Sequence, residues 1–147
     1  MGRSLGVDFG KRRTGLAISD TAGLVAVPLD EVIYETDPAR LAERIAELCR
    51  QRGIDTVVVG LPLNMDGSEG SAARAVREVV RKIGSLAAVE VVLWDERLST
   101  REVESATRGR TRRMRRYKDS LAAQVILQSF LDARARVSNP APGSRPR

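Results

Sequence analysis

The sequence predicts an α/β protein: a mixed five-stranded sheet with helices on both faces, its elements in the order β-β-β-α-β-α-β-α. Three observations carry this. The chain opens with three short apolar runs joined by brief polar connections, the pattern of an antiparallel meander. After Asp37 the apolar spacing becomes helical, and helical stretches then alternate with aliphatic runs, as parallel strands joined by crossovers require. The composition is that of a folded chain: 147 residues, 42% apolar, 30% charged and only 3% aromatic. The core is therefore aliphatic, and global disorder is not expected.

Taken in order, residues 4–8 read as the first strand, Gly10-Lys11-Arg12-Arg13 as a turn, and residues 14–19 as the second strand. Residues 25–33 read as a third, in which Pro28 points to an edge position or a bulge. Asp37 before Pro38 is a helix N-cap with proline at the first helical position, and Gly53 is the stop. Leu41, Ile45, Leu48 and Cys49 share one face of that helix, so Cys49 reads as a small buried apolar residue. Val57-Val58-Val59 marks a buried strand at 56–60. After a loop containing Gly and Asn, Ser71 opens a second helix, with Ala72, Ala75, Val76, Val79, Val80 and Ile83 on one side, and Gly84 ends it. Residues 89–94 read as another buried strand. Ser99 and Glu102 form a capping box for a short helix. A basic loop follows, then a last helix over 119–134 whose apolar stripe includes Leu121, Ala122, Val125, Ile126 and Phe130. Residues 138–147, with three prolines and a glycine, read as a disordered tail to a domain spanning 1–137. A meander feeding two right-handed crossover units makes a sheet of the ribonuclease H type.

Absences narrow the chemistry. Without His there is no Ser-His-Asp or Cys-His catalysis and no imidazole metal ligand. One Cys allows no internal disulfide, zinc cluster or CxxC pair. Nothing resembles a signal peptide, and no apolar run approaches the roughly 18 residues of a membrane span, so a cytoplasmic protein with no membrane partner is expected. GVDFGK is not a P-loop, because its spacing is short and no Ser or Thr follows the Lys.

The net charge of +6 is local. Arg108, Arg110, Arg112, Arg113, Arg115, Arg116 and Lys118 fall within eleven residues that contain no acid, and without those seven charges the chain stands at −1. A solvated loop is one reading of the run. Arg forks onto phosphate and a dense run neutralises it, so nucleic acid is the favoured partner; Met114 and Tyr117 alone are too little apolar surface for a membrane helix.

Ligands of α/β sheets bind beyond the carboxyl ends of the parallel strands. There the sequence places Asp8, then Leu61-Pro62-Leu63-Asn64, then Asp95-Glu96, with Asp119 opening a helix able to pack back to the same edge. Singly, Asp8 reads equally well as a turn residue, Asp119 as a cap, and Asp95 or Glu96 as a partner of Arg97. Together they favour a cation. Two carboxylates about 4 Å apart repel by roughly 4 kcal/mol at an effective dielectric of 20, so a cluster of three takes up protons or a metal. Oxygen ligands alone suit Mg²⁺ or Mn²⁺, and such ions beside a basic surface point to phosphodiester hydrolysis. Gly6 and Gly10 alternate with Asp8 on one strand face and are expected to leave space for metal or phosphate.

These residues resemble the bacterial YqgF/RuvX family of Holliday-junction resolvases and pre-16S rRNA nucleases. The likeness runs through VDFGKRRTGLAISD, VVVGLPLNMDGSEG, WDERLST and KDSLAAQVILQSFLD, from Gly6 to Asp132. It implies a ribonuclease H-like fold and a metal-dependent nuclease site. Carried over, it makes Asp8 the first acid, Glu96 the second with Asp95 its close competitor, and Asp119 the third. Asn64, Ser68 and Arg97 become candidates for contact with the substrate or the metal's surroundings. Lys11, Arg12 and Arg13 in the first turn join Arg110, Arg112, Arg113, Arg115, Arg116 and Lys118 as candidate nucleic-acid contacts. The expected substrate is structured RNA at the 5′ end of pre-16S rRNA. The alternatives are branched four-way DNA, whose two-fold symmetry implies a homodimer making paired cuts, and a nucleic-acid-binding module without chemistry. An ATP-handling relative with Asp-x-Gly after its first strand is remote, since this chain has one such domain.

Overall fold

The computed structural model describes residues 2–98 and 112–138. Five strands form one sheet: β1 (Arg3–Phe9), β2 (Thr14–Ser19), β3 (Ala26–Pro28), β4 (Ile54–Leu61) and β5 (Glu90–Asp95), in the spatial order β3-β2-β1-β4-β5. The β1–β2 and β2–β3 pairs are antiparallel, and β1–β4 and β4–β5 are parallel. Among the described residues three helices accompany them: α1 (Pro38–Arg52), α2 (Ser71–Leu86) and α3 (Arg112–Ser138). The expected order of elements and mixed sheet are present.

Local chemistry explains α1. The Asp37 carboxylate accepts the Arg40 N–H, Pro38 begins the helix, and Gly53 ends it in the left-handed region at φ +64°, where a side chain would be strained. Cys49 is buried on its inner face, and burial pushes the thiol up to about 11, so it is a packing residue.

The two faces of the sheet differ in side-chain size. Leu5, Val7, Leu16, Ile18, Val57, Val59 and Leu61 point to one side and pack with Leu41, Ile45 and Leu48 of α1 and Val76, Val79 and Ile83 of α2. The other face carries Gly6, Asp8, Gly15, Ala17, Val58 and Gly60, and it receives Ala123, Ile126, Leu127 and Leu131 of α3. A Cβ at Gly6 would stand 2.7 Å from the Ala123 carbonyl oxygen, and one at Gly15 would overlap the carbonyl of Asp119. Small residues thus let the α3 backbone lie directly on the sheet. The space beside Gly6 is filled by α3, so that glycine leaves no room for metal or phosphate as expected, whereas Gly10 lines a cavity together with Phe9, Lys11 and Pro38.

Side chains of α3 also close the sheet edge. Ala26 donates its N–H to Gln128 Oε1 at 2.8 Å and accepts from Gln124 Nε2 at 2.9 Å, while Ser120 Oγ donates to the Leu29 carbonyl at 2.6 Å. Spaced four residues apart, these polar groups substitute for a missing neighbour strand.

Several element boundaries differ from expectation. β3 ends at Pro28, and the chain touches the sheet again only where Ile33 pairs with Thr14. Pro28 has no N–H to continue a ladder, and β3 does lie at an edge. Helix α2 runs through Gly84 to Leu86, since nothing there demands a left-handed glycine. Ala73 is buried, whereas Ala72 and Ala75 are exposed. β5 is half-buried, not buried, because it is the other edge strand. In α3, Leu121, Val125 and Phe130 are half-buried, and Ala123, Leu127 and Leu131 take the core positions. The helix begins at Arg112, so 112–118 is helical and not a loop. Arg108, Arg110 and the capping box at Ser99 and Glu102 lie outside the described residues, as do residues 139–147 of the tail.

Candidate active site

Asp8 is the last residue but one of β1, paired across the hairpin with Gly15. It faces α3, whose Asp119 backbone lies over Gly15. Glu96 opens the single 3₁₀ turn, Glu96–Leu98, that follows β5. A Cβ at Gly60 would come within 3.6 Å of the Glu96 carboxyl carbon, so this glycine gives the side chain its path across β4. The sequence brings these acids from three elements to one sheet edge.

Their electrostatics are those of crowded carboxylates. Asp8 is held well above the usual carboxylate range, first by burial, then by its hydrogen bond to Glu96, and then by the charges of Glu96 and Asp119. Lys118 acts in the opposite direction. Although half-exposed by area, Asp8 is enclosed by protein on most sides, which is why desolvation dominates. A hydrogen bond between two carboxyl groups requires a proton on the pair. Asp119 is also raised, by burial, and is opposed by Arg13 and Lys118. Arg13 Nε is 2.8 Å from Asp119 Oδ2. The crowding foreseen from sequence thus shows as a raised Asp8 carboxyl, and cations of the chain oppose it.

Asp95 lies elsewhere. Arg97 donates to it from its backbone N–H at 3.0 Å and from Nη2 at 2.8 Å, and this pairing holds the Asp95 carboxyl below its usual range. The same guanidinium donates from Nη1 to the Met65 and Asn64 carbonyls. Asn64 Nδ2 donates to Ser68 Oγ, which donates to Asp66. Asn64, Ser68 and Arg97 therefore brace the β4–α2 loop. Lys11 and Arg12 are exposed on the β1–β2 turn, Arg13 faces Asp119, and Lys118 stands near Asp8 and Asp119. Arg112, Arg113, Arg115 and Arg116 occupy the first turns of α3.

A hard divalent cation fits this donor set in part. No aligned donor among the described residues reaches the buried Asp119 Oδ2, and Glu96 lies close enough to Asp8 to raise its carboxyl. Among the described residues no three such side chains converge tightly enough as they stand to hold an ion. The pair is preformed, and Asp119 is turned to Arg13.

Comparison with known proteins decides the family. The RuvX family, described as Holliday junction resolvase, matches residues 2–133. The chain belongs to the RuvX family. It is 41% identical over 148 residues to a protein of Pelotomaculum thermopropionicum, covering 98% of this chain and 96% of that one. It is 47% identical over 135 residues to one of Anaeromyxobacter sp. strain Fw109-5, covering 90% and 98%. Both carry the name "Putative pre-16S rRNA nuclease". Among solved structures, T. thermophilus RuvC in complex with a Holliday junction superposes with a TM-score of 0.55 at 19% identity, over 91% of this chain and 96% of that one. A second T. thermophilus RuvC structure gives 0.53 at 18%. These likenesses establish the ribonuclease H-like fold. As a RuvX member the chain is a nuclease, a hydrolase of nucleic acid. No described helix is long and apolar enough to cross a membrane.

The sequence reading did not anticipate the Arg13–Asp119 contact or the bracing of Met65. A signal for the first was present: Gly15, two residues after Arg13, offers a flat site for α3. None existed for the second.

Proposed function

We propose that this RuvX protein cuts phosphodiester bonds at the 5′ end of pre-16S rRNA in the cytoplasm, using Asp8, Glu96 and Asp119. The observation that carries the reading is the hydrogen-bonded Asp8–Glu96 pair, with Asp119 acting on Asp8, at the carboxyl edge of the parallel strands. The relatives' names supply the substrate. Asp8, Glu96 and Asp119 would hold Mg²⁺ or Mn²⁺, which when bound activates water and steadies the leaving oxygen. To ligate, the raised Asp8 carboxyl would give up its proton and Asp119 would release Arg13. Arg13 is then free to meet phosphate, as are the exposed Lys11 and Arg12 and the basic start of α3. Asp95 serves as a positioning residue through Arg97.

The family description favours a second substrate, four-way DNA; the two-fold symmetry of such a junction would call for paired cuts by a homodimer. The test compares cleavage of a pre-16S 5′-end RNA and a four-way DNA junction in Mg²⁺ and in Mn²⁺, beside Asp8→Asn. Selective RNA cutting that the variant loses by about 100-fold or more supports the proposal. Symmetric junction nicks transfer it to DNA. Binding of both with cutting of neither makes the chain a binding module.

A further inference from the structure

A lone exposed apolar side chain is ordinary on a protein surface. Met65 differs in how firmly its backbone is held. It is 85% exposed on the loop between β4 and α2. That loop is a small hairpin, closed by the Leu63–Glu69 bridge, by the Asn64 N–H donating to the Ser68 carbonyl at 2.9 Å, and by the Gly67 N–H donating to the Asn64 carbonyl at 2.8 Å. Gly67 makes the turn at φ +87°, a conformation costly for other residues. Ser68 donates its N–H and Oγ to Asp66 Oδ1 at 2.9 and 2.6 Å, which ties that carboxylate to the turn. Arg97 Nη1 donates to the Met65 carbonyl itself at 3.2 Å.

The backbone is fixed and the thioether stands in water. The clamp, Arg97, follows Glu96 directly, and Leu61 at the root of the hairpin pairs with Asp95. Hairpin and acids thus rise from neighbouring strand ends. Unbranched, polarisable methionine fits irregular apolar gaps, and the gap between two stacked bases is one that an apolar wedge can enter.

We propose that Met65 is a wedge that enters the base stack beside the scissile phosphate and opens one step, so that the backbone there is presented to Asp8 and Glu96. This rests on the nuclease reading. It gives the site a preference for nucleic acid that is already weakly stacked, at a branch point or at the border between paired and unpaired strands, where opening a step costs least.

The test places 2-aminopurine at the branch point of a four-way DNA junction and at the paired–unpaired border of the pre-16S 5′-end RNA. Each probe is titrated with the full chain in the Asp8→Asn background. A rise in fluorescence on binding to at least one probe is expected, abolished by Met65→Ala and Met65→Gln and retained by Met65→Leu, with affinity changed by less than about tenfold. In the otherwise native chain, Met65→Ala lowers kcat on the cleaved substrate by on the order of tenfold or more, and Met65→Leu restores it. No rise with either probe, or an equal rise in every variant, overturns the wedge. Retained cutting alongside that result leaves the nuclease reading intact, whereas absent cutting by the native chain sinks that reading separately.

Discussion

Arg13 Nε stands 2.8 Å from Asp119 Oδ2, yet that buried oxygen has no aligned hydrogen-bond donor among the described residues. The ion pair opposes the burial that raises Asp119, and it occupies an oxygen that a divalent cation would need. Arg13 also comes from the turn that follows Asp8, so one hairpin supplies both an acid and the cation that occupies another acid. In the nuclease reading, cation and Arg13 compete for Asp119.

Removing Arg13 should expose that competition. Calorimetric titration of Arg13→Ala with Mg²⁺ is expected to show binding tighter by on the order of tenfold, equivalent to about 1.4 kcal/mol of lost competition in a partly buried pair. Cleavage should fall even so, because a phosphate contact goes too. Weaker Mg²⁺ binding would mean that Arg13 supports the carboxylate geometry and does not block it.

The raised carboxyls of Asp8 and Asp119 fix a pH dependence. Their folded values lie above the unfolded value near 3.9, so within that window the folded state binds more protons than the unfolded state. Stability contributed by these groups is then greatest at acid pH and declines as pH rises toward the raised values. Thermal unfolding in chelator from pH 5 to 8 should show Asp8→Asn gaining on the native chain as pH rises, by roughly 2–4 °C for each kcal/mol. Mg²⁺ should reverse the native decline, and its binding should release protons, read as a buffer-dependent enthalpy. A constant difference between the two proteins across pH would contradict the assignment.

Two glycines offer a matched contrast. Gly15→Ala sets a methyl against the Asp119 carbonyl and is expected to cost about 1–3 kcal/mol, with cleavage lost out of proportion because α3 carries Asp119. Gly84→Ala meets nothing within 4 Å inside α2 and should stabilise by about 0.4–1 kcal/mol without touching activity. Chemical denaturation of both variants checks the pair. Equal effects would show that α3 can move off the sheet freely.

For the basic start of α3, replacing Arg112, Arg113, Arg115 and Arg116 by Ala should leave helix content unchanged, since Ala favours helix. Nucleic-acid affinity should fall, and the slope of log K against log salt should shrink by about 0.7–0.9 for each lost phosphate contact. A slope equal to the native one would remove these residues from the interface.

Much of the fold was legible because its signals are local. Asp37, Pro38 and Gly53 bound α1 through cap geometry that acts within four residues. The valines of β4 announce a strand buried on both faces, and Asp8 sits near the end of the first strand. Structure and expectation part where a distant element decides. Pro28 allowed an edge strand, but its length depended on how far β2 and the chain before α1 stayed in register. Gly84 looked like a stop because a glycine after an apolar stripe often is one, yet only an actual left-handed turn requires it. The basic run looked like a loop because like charges disfavour a helix in isolation, a penalty that continuity with the docked part of α3 overrides.

By itself the sequence determined the order of elements, the aliphatic core, the absence of imidazole and thiol chemistry, and a set of acids near the ends of β1 and β5 and in the last helix. Tertiary structure decided which acids meet. Asp95 and Glu96 are adjacent, and successive residues near a strand end point to opposite sides, so only the placement of Arg97 on one side and Asp8 on the other separates them. Gly6, Gly15 and Gly60 each look like small residues in a strand. Their role exists only once α3 lies across all three and brings Asp119 to Asp8, because close approach is a property of two surfaces and is written in neither alone.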